Sequence, residues 1–399
     1  SEGSNNIEIF VENKPLACDL TRFKNAVIGI NDATGDLGLA APGRNTGNWT
    51  TTNEAWRFTP LKRLAGLHDL STLVKDHISL TSNGALPSGV SLKVVAAPDL
   101  PSAYLSTDIV TNRIRENVKQ ISLLRIEKDS EVAQPIHLKR LCGPSAELSK
   151  LVIQAGVNSR STVIIENIGS GQIGEEIEIT LEAGASLKFI SLQEWDRSAV
   201  HLGQHHAIIS KDAQFISFVI SVGGSVVRLN PTVEFTGPGS SAELNGIYFA
   251  TDGQHLEHRI HVNHNVANAK SRVNYKGALS GDQARTVWIG DVFIHKGAEG
   301  TDTYELNRNL LLSDGARADS VPNLEIETGE IVGAGHASTT GRFDDEQLFY
   351  LQSRGIPADI ARRLVIRGFF AEIINKLKNE DLEERLMKRI DDELAKAGE

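Results

Sequence analysis

From about Ile121 to Thr340 the chain is a succession of short apolar runs, each bounded by small or polar residues, with almost no helical period. The runs begin with ISLLRIE, IHLKRL and LVIQAGV and continue through STVIIENI, EIEITLEA and SLKFISLQEW to TVWIGDVFIH. Several alternate strictly: Val233 and Phe235 stand against Thr232 and Glu234, so one face of that strand is buried and the other is wet or covered. Turn-like clusters with an alanine recur at Ala183, Ala213, Ala242, Ala269, Ala284 and Ala316, spaced by roughly thirty residues or about half that. A repeat of that length without a helical period fits a coil of parallel strands, in which no rung can bury its apolar face alone. A β-sandwich would need hairpins, and Asn245-Gly246, Asp252-Gly253 and Asp314-Gly315 are the few candidates for such turns. The pattern therefore predicts a mainly β protein, with a flattened coil of two strand faces per rung over residues 119–340.

The flanks read differently. Residues 1–118 form a mixed, partly helical segment: Asn31 to Asn53 is loop-like, and EAWRFTPLKRLAGL carries Trp56 and Phe58 as packing anchors ahead of a Pro-marked short helix. A further helix is expected over LSTDIVTNRIRENV, with Ile109, Ile114 and Val118 on one face. Residues 341–399 are helical. Asp344 and Gln347 offer a capping pair, Gly355 closes the first helix, and Pro357 stands where a second begins. That second helix places Ile360, Leu364, Ile374 and Leu377 near one face, yet Val365, Ile366, Phe369 and Phe370 widen the apolar surface beyond one stripe, as if it had two neighbours. A third, from about Glu380, repeats Leu382, Leu386, Ile390 and Leu394 every fourth residue and should lie half exposed.

Composition narrows the function classes. A formal charge of -10 over 399 residues argues against a nucleic-acid partner, because phosphate contacts need a basic face. Two cysteines, Cys18 and Cys142, with no CxxC spacing, exclude a disulfide framework and a zinc knuckle. SEGSNNIEIF is not a basic-then-apolar leader and no apolar run is long enough for a bilayer, so the expected location is cytoplasmic. No Walker motif, H-E-x-x-H or G-x-S-x-G is present.

The histidines are the remaining chemistry. His255, His258, His261 and His264 recur every third residue, but interleaved Ile260 and Val262 mark a strand. Only His258 with His264, or His255 with His261, can then share a face, and a structural role outweighs a metal site. His205 and His206 are adjacent and must diverge. His336 stands at the end of the coil among glycine, alanine, serine and threonine, which leave its ring uncovered and able to ligate a metal; a structural histidine is the equal alternative.

The segments QHLEHRIHVNH, SRVNYKGAL, LNRNLLLSDGARADSVPNLEI, GHASTTG and GRFDDEQLFYLQSRGI, with EAWRFTPL upstream, together resemble the SufB/SufD family of iron-sulfur cluster assembly proteins. Ala318 before Asp319-Ser320, and His336-Ala337, resemble the SufD type, because SufB-type chains carry a cysteine and a His-Glu pair there. The resemblance implies a right-handed parallel β-helix core flanked by N-terminal mixed or helical and C-terminal helical segments. It implies a non-catalytic scaffold that pairs with a SufB-like paralogue and holds a SufC-like ABC ATPase on its C-terminal helices, with Arg354, Arg367, Phe369 and Phe370 as the docking candidates. His336 is then a ligand to a transient iron-sulfur cluster or iron at the partner interface, where the cluster is built before passing to recipient proteins. A homodimer of the isolated chain stays open. Some relatives carry cysteine two residues before this histidine; here Ala334 excludes a thiolate at that position.

Two readings from other classes remain beside it. A polysaccharide-cleaving β-helix enzyme would need clustered carboxylates, whereas Asp282, Asp291 and Asp302 are scattered in the sequence; a purely structural binding module would need no metal chemistry at all.

Overall fold

Each turn of the chain between residues 120 and 342 lays down two strands, one on each of two facing sheets. The computed structural model describes residues 7–11, 14–18, 54–69, 75–76, 80–343 and 345–397. The strands before the coil are β1 (Ile7–Val11), β2 (Lys14–Cys18), β3 (Lys75–Asp76), β4 (Thr81–Ser82) and β5 (Val90–Ala96). The coil runs through β6 (Gln120–Ile126), β7 (Ile136–Cys142), β8 (Ala146–Ala155), β9 (Arg160–Gly169), β10 (Gln172–Leu181), β11 (Ser186–Trp195), β12 (Val200–Ile209) and β13 (Gln214–Ser221). It continues through β14 (Val226–Phe235), β15 (Ser241–Ala250), β16 (His255–His264), β17 (Lys270–Leu279), β18 (Arg285–Ile294), β19 (Asp302–Leu311), β20 (Arg317–Ile326) and β21 (Gly333–Arg342). Even-numbered strands form one sheet and odd-numbered strands the other, every neighbour in the coil parallel and in register, giving about eight turns. This is the parallel β-helix that the pattern predicts.

The two ends of the coil differ. At the first rung β5 closes the even sheet and β4 the odd one, both antiparallel to their neighbours. At the last rung, among the described residues, β20 and β21 are followed by no further strand. The β1/β2 hairpin lies beside β21 without joining its ladder.

The interior follows from stacking equal positions of successive rungs. On the even sheet one inward column reads Ile153, Ile179, Ala207, Val233, Val262, Val292, Leu324, so each side chain rests on its neighbour about 4.8 Å away. Buried alanines turn the corners: Ala185, Ala213, Ala269 and Ala298 before odd strands, Ala284 and Ala316 before even ones. Two corners per rung explain the half-length intervals. In EAGAS the inward residue is Ala185, while Ala183 is exposed. Asn245-Gly246 is not a turn but lies inside β15, where Gly246 makes room for the ring of Tyr275 on β17, and Gly277 reciprocally for Tyr248. A Cβ at either glycine would enter a tyrosine ring.

The flanking elements clothe the sheets. In EAWRFTPL the short helix resolves into two single 3₁₀ turns, Glu54–Trp56 and Leu61–Arg63, and of the two aromatic anchors Trp56 is buried and Phe58 half-buried. Trp56 packs with Leu64, Leu67, Val110 and Ile114 of α1 (Ile109–Asn117) on the outer face of the even sheet, and Arg228 lies over its ring at 4.1 Å. Asp108 caps α1 by accepting from the Thr111 N–H at 2.8 Å.

The C-terminal helices are α2 (Asp345–Ser353), α3 (Ala358–Ile374) and α4 (Glu380–Ala397). Gly355, with φ of +83°, ends the α2 turn, and Pro357 caps α3; the expected cap at Asp344 lies outside the described residues. Ile366, Phe370 and Ile373 of α3 and Leu382, Leu386 and Ile390 of α4 bury against Phe218, Ile247 and Phe249 of the odd sheet. The inward face of α3 therefore differs from the expected one: Ile374 and Leu377 are buried, but Ile360 and Leu364 are exposed. With apolar residues nearly all round, only the sheet decides which side turns in.

Candidate functional site

The open end of the coil brings together more chemistry than any other surface. The inward column of the odd sheet runs Val163, Phe189, Ser217, Leu244, Val273 and then changes character to Glu305 and His336. His336 occupies β21, the last strand, and its side chain is exposed among Gly335, Ala337 and Ser338. Desolvation by the surrounding wall lowers its pKa and favours the neutral imidazole, the form with a lone pair to give.

Directly beneath, Glu305 is 1% exposed, and neither carboxylate oxygen has a hydrogen-bond partner. Burial, and then the charge of Asp291, push its pKa well above the ordinary carboxylate range. Next to it lies a connected polar cluster. Asn307 donates to Tyr248 Oη at 2.9 Å, and Tyr248 Oη donates to Asn309 Oδ1 at 2.6 Å. Ser320 Oγ donates to Asn307 Oδ1 at 2.6 Å, and Asn309 Nδ2 reaches Ser320 Oγ at 2.9 Å. These bonds tie β15, β19 and β20 together and hold the rim of the last rung.

Other predicted candidates are placed elsewhere. His258 and His264 point inward and His255 and His261 outward, as strand parity requires. His258 shares a hydrogen bond with Ser221 Oγ at 3.0 Å, and His255 one with Glu257 Oε2 at 2.9 Å. His205 points inward to Glu175 Oε1 at 2.9 Å, while His206 points outward and stacks on Tyr104 with ring centres 3.5 Å apart. Cys142 is buried inside the first turn of the coil, far in sequence and in rung from His336, and burial pushes its thiol up to about 12. Among the described residues no group of three or more His, Cys, Asp or Glu side chains is placed to hold a metal ion. The end of the coil thus offers an imidazole that suits iron, but not the set of thiolates a cluster takes.

Asp282, Asp291 and Asp302 are not brought together. Asp302 pairs with Arg272 at 2.7 Å, Asp291 accepts from Asn323 at 2.6 Å, and Asp282 accepts from the Gly315 N–H at 3.3 Å. A glycosidase-like carboxylate pair does not arise from them.

The second surface is on the C-terminal helices. Phe370 is fully buried, and Phe369 is half-buried with its ring 5.4 Å from Lys276 Nζ. Lys276 donates to the Phe369 carbonyl at 3.1 Å and to Glu372 Oε2 at 2.7 Å, fixing α3 to the coil. Arg354 is exposed beside the Tyr350 ring at 5.1 Å, and Arg367 lies 4.0 Å from Asp391. Phe349, Tyr350, Ile360 and Leu364 are exposed on α2 and α3. An open cleft of about 430 Å³ between α3 and the odd sheet is lined by Arg308, Leu310, Phe343, Val365 and Phe369.

Residues 142–369, more than half of the chain, match the family model "SUF system FeS cluster assembly, SufBD core domain". An iron-sulfur cluster assembly SufBD family protein of Mycobacterium leprae is 47% identical over 355 residues, covering 86% of this chain and 89% of the relative. The chain belongs to the SufBD family. The iron-sulfur cluster assembly protein SufD of Escherichia coli is 26% identical over 378 residues, covering 86% of this chain and 89% of that protein. A second SufBD family protein of Mycobacterium leprae matches more distantly, 29% over 204 residues and 51% of this chain, but only 23% of its own length. This SufBD protein is accordingly a SufD-related component of iron-sulfur cluster assembly. Among the described residues it has no helix long and apolar enough to cross a membrane.

The sequence pattern singles out His336 but not Glu305, Asn307, Asn309 and Tyr248, which the fold places around it. A signal was present in DTYELNRNLL, where the inward parity carries Thr303, Glu305 and Asn307 at positions that are apolar in several earlier rungs.

Proposed function

We propose that this chain is a non-catalytic scaffold subunit of a SUF complex, pairing through the open end of its coil with a SufB-like paralogue. On this reading a nascent iron-sulfur cluster, the cargo of the complex, is built at that junction and passed to recipient proteins. His336 gives one imidazole, and the thiolates come from the partner. The observation that carries the reading is the last rung itself: two ten-residue strands that, among the described residues, join no further strand on their outer edges, and on β21 an exposed histidine in a donor set that those residues leave incomplete. Unpaired strand edges invite another strand, and soft sulfur donors are what an iron-sulfur cluster still lacks there. Two distinct SufBD relatives in one organism support a paralogous pair.

The exposed apolar and basic residues of α2 and α3 are assigned to a SufC-like ABC ATPase, with Arg354, Arg367 and Phe369 at the contact and Phe370 supporting it from within. Hydrolysis of ATP then belongs to the partner, in keeping with a chain that carries no Walker motif. Without its paralogue, the same open edges would pair two copies of this chain.

The test is iron and acid-labile sulfide in the purified complex, with and without His336→Ala. Gly335 and Ala337 already leave the site open, so the variant should assemble normally and lose cluster content. Unchanged iron and sulfide would make His336 structural and place the chemistry wholly on the partner.

A further inference from the structure

A buried carboxylate in this protein ordinarily has a cation of its own. Glu175 pairs with Arg140, Glu176 with Arg115 at 2.6 Å, and Glu257 with both Arg259 at 2.6 Å and Arg228 at 3.2 Å. Glu305 breaks this rule. It is 1% exposed, and among the described residues it is the buried carboxylate with neither oxygen in a hydrogen bond or ion pair. Leaving such a group unpaired is costly, so a buried acid of this kind ordinarily has a partner such as water or an ion.

Three observations say which. First, Glu305 stands in the column whose next and last member is His336, so both side chains leave the backbone toward the lumen, one rung or about 4.8 Å apart. Second, Gly290 on β18 faces the carboxyl, and a Cβ there would run into the Trp288 ring and fall 2.5 Å from Glu305 Oε1, so a glycine leaves room for both. Beside it Trp288 Nε1 is also buried and unpaired. Third, the same column positions in the two preceding rungs are Leu244 and Val273, so packing alone does not ask for an acid here.

Resting on the reading that iron reaches the open end of the coil, we propose that Glu305 is a second donor of the His336 site, a carboxylate that binds a divalent iron ion together with the imidazole. An oxygen and a nitrogen donor suit ferrous iron rather than a finished cluster, and the remaining positions are left to water or to the partner. An iron ion bound there takes the place of the carboxyl proton and gives Glu305 the partner it lacks. The site therefore takes iron before sulfur.

The experiment is anaerobic titration of Fe(II), with Co(II) as a spectroscopic probe, into the full chain and into its complex with the SufB-like paralogue. Wild type, Glu305→Gln and His336→Ala are compared, and each is melted without metal. Glu305→Gln keeps size and shape, so its melting should match wild type while its metal affinity falls by about 10- to 100-fold; His336→Ala should fall similarly. Wild-type affinity in Glu305→Gln with weakened binding in His336→Ala overturns this inference and leaves the scaffold reading standing. A fall in melting temperature in Glu305→Gln marks a structural residue and also overturns it, as does a wild-type protein that binds neither ion in either form. Failure of the scaffold reading is seen separately, as unchanged cluster content in the His336→Ala complex.

Discussion

At the scale of single residues, the interior of the coil is more polar than an apolar core needs, and its histidines are the most exposed to pH. Desolvation holds His205 and His258 at about 3 and His264 at about 4, so all three are neutral when folded at pH 7. In the unfolded chain each titrates near its ordinary value of about 6.5. As pH falls below that, the unfolded chain takes up protons that the folded one refuses, and stability declines by up to about 1.4 kcal/mol per pH unit for each histidine. Glu257 adds to the loss below the carboxylate range. Burial alone would raise its pKa, but Arg259, His255 and Arg228 outweigh that and hold it well below the usual value. Denaturant unfolding at pH 7, 6 and 5 should show this decline, and His258→Gln should flatten it by about one proton; a pH-independent midpoint would contradict the account. These roles were only half legible in the sequence. Strand parity separates His258 and His264 from His255 and His261, but it cannot say that Ser221 and Tyr248 lie beside His258, because those neighbours come from the facing sheet, on β13 and β15. Glu305 was hidden for the same reason: its column, not its local run, makes it unusual.

At the scale of elements, strands and corners were legible because a β-helix repeats its local rules. The alanine corners, the alternation at Val233 and Phe235, and the Gly355 and Pro357 boundaries are each decided within a few residues. The orientation of α3 was not, since Ile360 and Leu364 are as apolar as Ile366 and Phe370 and only contact with Phe218, Ile247 and Phe249 selects between them. This division sets two predictions. Phe370→Ala should cost about 3–5 kcal/mol, because a fully buried ring leaves a cavity between helix and sheet. Phe369→Ala with Arg354→Ala should change stability little and abolish ATPase capture while pairing with the paralogue persists, read by pull-down and melting. Unchanged capture would move the docking surface elsewhere. Within the coil, Gly246→Ala should cost about 1–3 kcal/mol, since its methyl enters the Tyr275 ring, and a neutral result would contradict the ring-over-glycine packing.

At the scale of the whole molecule, the asymmetry of the two ends decides what the coil can do. The first rung is closed by β4 and β5, whereas among the described residues β20 and β21 join no strand on their outer edges, the β1/β2 hairpin lying beside β21 outside its ladder, and the polar cluster from Tyr248 to Ser320 stiffens that rim rather than filling an apolar core. The chain length and the thirty-residue repeat made the coil readable, but which end is open depends on the short antiparallel closures, and β4 is only two residues long. The account predicts that the isolated chain self-associates through these edges and that the paralogue displaces the second copy. Backbone hydrogen exchange, compared between the free chain at low concentration and its complex with the SufB-like paralogue, tests this most directly. Amides of β20 and β21, residues 317–326 and 333–342, should become strongly protected on complex formation, while β4, β5 and the first rung stay as they were. Unchanged exchange in β20 and β21 within a stable complex would contradict the assignment of the open end, and of His336 with it, to the partner junction.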